Sequence, residues 1–78
     1  MKKTITINLS GLVFNIEEEG FFRLKKYLDS IGNRFSDLEE RQEILEDIEG
    51  RIAELFSEKI NRNKEVITDQ DVIEIMNI

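Results

Sequence analysis

Residues 4–16 alternate between apolar and polar side chains on both sides of Ser10-Gly11, and this feature constrains the fold more than any other. A two-residue turn at Ser10-Gly11 pairs the flanking strands outward, and Gly11 supplies the positive φ that such a turn needs. The predicted pairs are Leu9 with Leu12, Ile7 with Phe14, and Ile5 with Ile16. All six apolar side chains then lie on one face, which a register shift of one residue would prevent. The sequence therefore predicts a β-hairpin with one apolar face.

Two helices are predicted after the hairpin. The first follows the acidic residues 17–19, which favour a helix N-terminus, and we expect it to end between Gly32 and Phe35. Its apolar stripe has helical spacing and consists of Phe21, Leu24, Leu28, Ile31 and Phe35. Ser36 and Glu39 form a capping box that opens the second helix. The apolar stripe that follows, from Leu38 to Ile60, predicts a helix of about 24 residues, twice the usual mean length.

The last part of the chain adds a strand and a helix. Val66-Ile67 is short and β-branched, which favours a third strand that pairs with the hairpin. Thr68 to Asp71 is another capping box. It opens a final helix that is expected to run to Ile78, with these residues facing inward: Val72, Ile75 and Met76. The prediction is a single small α+β domain over residues 1–78, in the order ββααβα. A hairpin and a short third strand pack on an antiparallel helix pair and a C-terminal helix.

The composition excludes several kinds of chemistry. The chain has no His and no Cys, which excludes Ser-His triads, Cys nucleophiles, disulfides and structural zinc sites. No apolar run approaches the ~20 residues of a membrane span. Polar residues interrupt the apolar segment that a signal peptide would need after Lys2-Lys3. We therefore expect a non-enzymatic, cytoplasmic domain with no catalytic, cofactor-binding or metal-binding residue.

The net charge of −6 arises mainly from acids in residues 37–49, on the second predicted helix. Such a run suggests a metal site or an acid–base pair, but a di-iron site needs His and a calcium loop needs a D-x-[DN]-x-[DN]-G motif. A solvated helix face is the preferred interpretation. The alternative is a surface for a basic protein partner, formed by Glu39, Glu43 and Glu46.

The sequence contains one cluster of basic residues, at the N-terminus and on the first helix. It consists of Lys2, Lys3, Arg23, Lys25 and Lys26. With Phe21, Phe22 and Tyr27 nearby, this cluster resembles an aromatic and basic nucleic-acid surface. The small number of bases and the negative net charge disfavour nucleic-acid binding. Solvation, or pairing with the acidic helix, is preferred, and a small nucleic-acid-binding regulatory module stays as the alternative function.

A row of mostly small residues runs along the second helix, on the side away from its apolar stripe. The row consists of Glu46, Gly50, Ala53 and Ser57, at spacings of four, three and four residues. Small side chains let another backbone approach closely. The row is therefore either an unused, exposed groove or the contact with the final helix or with a second subunit.

Phe22 lies opposite the apolar stripe of the first helix, between Lys25, Lys26 and Asp29. One interpretation is that the final helix covers it, which would make Phe22 a core residue of a second layer. The other is that Phe22 is the exposed anchor of an interface, because aromatic residues surrounded by polar groups are typical of interface centres. Both interpretations stay open from the sequence.

Three blocks of the sequence carry a family resemblance. They are residues 1–8, residues 47–56, and Val66-Ile67-Thr68 before Asp71-Val72. In this order and spacing they resemble the N-terminal region of PspC-domain proteins, which are phage-shock-protein-C-like membrane proteins of Bacteroidetes. The resemblance implies a domain at the cytoplasmic face of the inner membrane, attached only through a downstream hydrophobic segment that this chain lacks. It implies no catalytic residues.

The expected function is that of a non-enzymatic protein-interaction or regulatory domain of an envelope-stress membrane protein. Its expected partner is another protein or a second copy of the chain, without a cofactor. The candidate partner surface consists of Phe22, Lys25, Lys26, Glu39, Glu43, Glu46, Gly50, Ala53 and Ser57.

Overall fold

The computed structural model describes residues 2–77 and has an α+β fold in the order ββααβα. The elements are β1 (Thr4–Leu9), β2 (Leu12–Glu17), α1 (Glu18–Gly32), α2 (Leu38–Lys59), β3 (Val66–Ile67) and α3 (Asp69–Met76). The predicted fold class and the predicted order of elements are confirmed. Within the described residues, no helix is long and apolar enough to cross a membrane.

The hairpin has the predicted register. Leu9 pairs with Leu12, Ile7 with Phe14, and Ile5 with Ile16. Both turn residues have positive φ, 54° at Ser10 and 83° at Gly11, which is typical of a type I′ turn. Leu12 is 49% exposed, so the apolar face of the hairpin is not wholly buried. Leu12 is exposed because it lies beside the turn, at the end of the sheet.

The third strand pairs with the hairpin, as predicted. Its neighbour is β2 and the pairing is parallel, neither of which the sequence analysis specified. Val66 lies opposite Asn15, and Ile67 lies opposite Ile16. A parallel pair requires a crossover connection, and α1 and α2 provide it. The strand order β1-β2-β3 makes β2 the central strand, where Ile16 is fully buried. It also makes β1 an edge strand.

The helices pack on the inner face of the sheet. The rings of Phe14 and Phe56 meet edge to face with centroids 5.4 Å apart, which is a favourable aromatic geometry. At Gly20 the N-terminus of α3 approaches α1: a Cβ on Gly20 would lie 3.2 Å from Asp69 Cα and 3.2 Å from Val72 Cγ2. The buried apolar core consists of Leu9, Phe14, Ile16, Leu24, Ile52, Ala53, Phe56, Ile67, Val72 and Ile75.

The boundaries of α2 correct one sequence prediction. Asp37, and not Ser36, caps the helix: its Oδ1 accepts from the backbone N–H of Glu39 at 2.9 Å and of Glu40 at 3.2 Å. Aspartate is itself a preferred N-cap residue. The helix has 22 residues. Leu38, in its first turn, is 74% exposed and does not belong to the buried stripe.

The capping box that opens α3 is confirmed. Thr68 Oγ1 accepts from the backbone N–H of Asp71 at 3.1 Å, and Asp71 Oδ2 accepts from the backbone N–H of Thr68 at 2.9 Å. The helix ends at Met76, with Asn77 as its C-cap. The prediction that this helix continues through Asn77 is therefore wrong, and Ile78 lies outside the described residues.

Candidate interaction site

A groove runs between β1, α1 and the first half of α2, and it is here named the β1 groove. Its volume is about 460 Å³. The apolar residues that line it are Ile7, Leu9, Phe21, Leu24, Leu28 and Leu45. The polar residues beside them are Asn8, Lys25, Asp29, Asn33, Arg41 and Glu49. An apolar floor with a polar border is the usual composition of a protein-binding surface.

The sequence builds the β1 groove through two periodicities. Alternation along β1 places Ile7 and Leu9 on the inner face of the sheet. Helical spacing along α1 places Phe21 and Leu28 on the side that faces β1. Ile7, Phe21, Leu28 and Leu45 are only half-buried, because no element of the described chain covers the groove.

The backbone of β1 is free on the side away from β2. Lys3 C=O accepts from the backbone N–H of Glu18 at 2.8 Å, so the odd-numbered residues of β1 direct their backbone groups toward β2. Because backbone direction alternates along a strand, Thr4, Thr6 and Asn8 direct their N–H and C=O groups outward. Within residues 2–77 no strand pairs with β1 on that side. The site thus combines a free strand edge with an adjacent apolar groove.

Phe22 is exposed, at 59%. Its ring centroid lies 5.9 Å from that of Phe21, which lines the β1 groove. The interpretation of Phe22 as a core residue is wrong, because α3 packs against α1 at Gly20 instead. Lys25 borders the groove and Lys26 is exposed. Their contact with a partner stays a prediction.

The predicted acidic surface is an exposed face of α2. Glu39, Glu43 and Glu46 are all exposed, and Glu46 Oε1 accepts from Gln42 Nε2 at 3.2 Å. In the part of the chain that the structure describes, no group of three or more His, Cys, Asp or Glu side chains could hold a metal ion. This face of α2 is exposed to solvent. That agrees with the preferred interpretation of the acidic run as a solvated helix face.

The row of small residues is covered by the hairpin over part of its length. Ala53 is 2% exposed and belongs to the core, so its assignment to a partner surface is wrong. A Cβ on Gly50 would lie 3.7 Å from Ser10 Oγ, which places the hairpin turn over this position. The hairpin, rather than the final helix, therefore occupies the row at Gly50. Ser57 remains exposed and lines a separate cavity of about 220 Å³ beside Val13.

The basic cluster is partly neutralised within the chain. Arg23 donates to both carboxylate oxygens of Asp69, from Nε at 2.8 Å and from Nη2 at 3.2 Å. These hydrogen bonds and the opposite charge raise the pKa of Arg23 and lower the pKa of Asp69. Lys2 Nζ lies 3.8 Å from Glu17 Oε1. Lys2 and Arg23 are therefore less available to phosphate groups than the sequence suggests.

Sequence reasoning missed an ion-pair network around Asp71. Lys64 Nζ lies 2.7 Å from Asp71 Oδ2, and Lys59 Nζ lies 3.7 Å from Asp71 Oδ1 and 2.7 Å from Glu74 Oε2. Burial alone would raise the pKa of Asp71, but hydrogen bonds from Lys64 and Thr68 outweigh burial and lower it. The network ties α2 to α3 and has a structural role. The capping box made Asp71 visible in the sequence, whereas no local pattern indicated its lysine partners.

A smaller cavity of about 280 Å³ lies between the three helices, where Asp47 and Arg51 join an apolar lining that includes Tyr27 and Met76. It does not border a free strand edge. The β1 groove is therefore the stronger candidate for an interaction site.

Comparison of the chain with protein-family models, with curated proteins and with solved structures finds no match. The resemblance to PspC-domain proteins thus stays a prediction that depends on the three sequence blocks alone.

Proposed function

We propose that this chain is a non-enzymatic protein-interaction domain that binds a segment of protein in the β1 groove. The single observation that carries the proposal is the position of the groove, which holds half-buried apolar side chains directly beside the unpaired edge of β1. An added strand satisfies its own backbone at such an edge and places alternate side chains in the adjacent pocket.

The surroundings of the β1 groove support the proposal. Phe22 lies beside the groove-lining Phe21 and is available as an aromatic contact. Lys25 and Asp29 border the groove from α1, and Arg41 and Glu49 border it from α2. Charges of both signs at the rim set the register of a bound segment rather than its affinity. The absence of His and Cys from the sequence supports a non-enzymatic role.

We propose further that the domain regulates an envelope-stress membrane protein of the PspC type, from the cytoplasmic face of the inner membrane. The support is the resemblance of residues 1–8, residues 47–56 and the segment around Val66 to the N-terminal region of such proteins. The test is the reading frame that follows Ile78 in the parent gene. A PspC segment with a hydrophobic span there would support the proposal, and a frame that continues without one would contradict it.

The binding function is tested by following the backbone amide resonances of the chain by NMR. The chain is titrated with a library of extended apolar peptides, and in a parallel experiment it is diluted from millimolar to micromolar concentration. Leu45→Lys places a charge in the β1 groove without removing a core residue. Ile44→Lys is the matched control, since Ile44 is its half-buried neighbour on α2 and does not line the groove.

We expect resonances of β1 and α1 to shift in the wild type and in Ile44→Lys, but not in Leu45→Lys. The proposal fails if neither peptide nor dilution shifts these resonances, or if Leu45→Lys responds as the wild type does. Titration with a DNA duplex is the comparison for the alternative function. Salt-dependent shifts around Lys25 and Lys26 with DNA alone would favour a nucleic-acid-binding module instead.

A further inference from the structure

We propose that the segment bound at the β1 groove belongs to a second copy of this chain, whose β1 pairs antiparallel with β1 of the first copy. The inference rests on the proposed function and names its partner. It assigns a six-stranded sheet to the dimer, with the two β1 strands at the centre.

The first argument is the unguarded edge of β1. Soluble proteins protect an edge strand with charged residues, proline or a bulge, because a free edge pairs with other chains. The segment Thr4–Leu9 has the sequence TITINL, which contains no charged residue and no proline. It pairs with β2 residue by residue, without a bulge. An edge of this kind is typical of a strand that is covered in the functional assembly.

The second argument is that the outward-facing residues of β1 are self-complementary. A two-fold axis at Thr6 places Thr6 opposite its own copy and Thr4 opposite Asn8. These are the residues whose backbone groups point away from β2, so each pair exchanges both hydrogen bonds. In the same register Ile5 lies opposite Ile7 of the other copy, as a closely spaced pair on the inner face.

The third argument is charge complementarity between the two ends of β1. In this register Lys3 of one copy lies opposite Leu9 of the other. Both side chains lie on the inner face, because they share the odd-numbered alternation of β1. Glu49 lines the β1 groove together with Leu9. This register therefore places Lys3 of each copy at the end of the groove that Glu49 of the other copy lines, and the two-fold axis makes this pair of opposite charges twice.

The fourth argument is the burial that the dimer gives. A two-fold axis perpendicular to the sheet keeps the inner faces of both copies on the same side. The two β1 grooves then adjoin, so half-buried side chains such as Ile7, Phe21 and Leu28 are covered. A domain of 78 residues has a small core, and burial of this kind is a common source of additional stability at that size.

The first test is sedimentation equilibrium of the wild type and two Thr6 variants, from micromolar to millimolar concentration. Thr6→Pro removes an outward N–H, and proline is tolerated on an edge strand at such a position. Thr6→Val is the matched control, because it keeps the N–H and changes only the side chain. We expect the wild type and Thr6→Val to dimerise and Thr6→Pro to be a folded monomer by circular dichroism.

The second test uses charge exchange and does not depend on how proline affects the strand. Lys3→Glu and Glu49→Lys should each weaken the dimer about two- to thirtyfold, which is the range for two surface ion pairs. The double variant should restore the dissociation constant to within about twofold of the wild type. Additive weakening in the double variant would overturn the register.

Three further outcomes would overturn the inference. They are a wild-type monomer at every concentration, a dimer that Thr6→Pro leaves intact, and amide exchange at Thr4, Thr6 and Asn8 that is independent of concentration. If the wild type is a monomer at every concentration but binds library peptides in the β1 groove, the inference fails and the proposed function stands. If neither peptides nor dilution affect the groove, both fail.

Discussion

At the scale of single residues, Gly20 and Gly50 have opposite roles although both interrupt helices. A Cβ on Gly20 would lie 3.2 Å from backbone and side-chain atoms at the start of α3, whereas a Cβ on Gly50 would meet only Ser10 Oγ, at 3.7 Å. The first distance is tighter than ordinary packing and the second is normal contact. Gly20 is therefore required for the close approach of α3 to α1, and Gly50 is not required by packing.

We expect the two alanine variants to change stability in opposite directions. Gly50→Ala should stabilise the fold by about 0.5–1 kcal/mol, because alanine has the higher helix propensity. Gly20→Ala gains the same propensity but must displace the backbone of α3, and overpacking of this kind costs more, which leaves a loss of about 1 kcal/mol. Urea unfolding of both variants measures the difference. Equal stabilisation would show that α3 moves away from α1 without cost.

At the scale of elements, the start of α2 shows how narrowly a helix boundary is set. Ser36 and Asp37 are both good N-cap residues by type, and the sequence offered Ser36 a partner in Glu39. In the structure the carboxylate of Asp37 accepts from the N–H groups of Glu39 and Glu40. One residue therefore satisfies two backbone donors that would otherwise be unpaired.

The prediction for this helix separates the two capping residues. Asp37→Ala should lower the free energy of unfolding by about 1 kcal/mol, which is typical of a lost N-cap. Ser36→Ala should change it by less than about 0.5 kcal/mol, as expected for an exposed position without this role. Thermal melts of the two variants provide the comparison. The reverse order of stability would assign the cap to Ser36.

The elements themselves were predictable because their signals are local. Alternation around Ser10-Gly11 fixes the hairpin register, and the capping box at Thr68 fixes the start of α3. The contacts between elements could not be predicted from the sequence, because they depend on how each helix is rotated on the sheet. Ala53 faces the core and Phe22 faces solvent for this reason. The β1 groove combines residues of three elements and has no signature in any one of them.

At the scale of the whole molecule, ion pairs join segments that are distant in sequence. Arg23 on α1 pairs with Asp69 at the start of α3. Asp71, which is buried, pairs with Lys64 and Lys59. The pKa values of both aspartates lie below their ordinary value of 3.8, and the pKa of Lys59 lies above its ordinary value of 10.5. Folding is therefore coupled to protonation at both ends of the pH scale.

We expect stability to be lost in acid and in strong alkali. Below about pH 4 the unfolded chain takes up protons on Asp69 and Asp71 before the folded chain does, so the free energy of unfolding decreases as the pH falls. As the pH rises through the raised pKa of Lys59, the folded chain loses the stability that its charged form provides. Urea unfolding midpoints measured across the pH range show the loss of stability in acid and the loss in alkali.

Asp71→Asn provides the matching variant. It should lower stability at neutral pH by about 1–3 kcal/mol, because it weakens buried charged hydrogen bonds. It should also reduce the slope with which the free energy of unfolding decreases below about pH 4. Glu43→Gln is the control, since it removes one negative charge at an exposed position of α2. A profile for Asp71→Asn that has the same acid slope as the wild type would contradict the role given to this carboxylate.

The parallel pairing of β3 with β2 affects the chain while it is being translated. Ile16 pairs with Ile67, and Gly20 packs against the start of α3. Ile67 and α3 are both synthesised after the two long helices. A nascent chain that ends within α2 therefore carries a hairpin whose apolar face lacks part of its cover. Exposed apolar surface of this kind makes a folding intermediate prone to aggregation and creates a need for chaperones. Cooperative folding of this domain must wait until β3 and α3 have left the ribosomal exit tunnel.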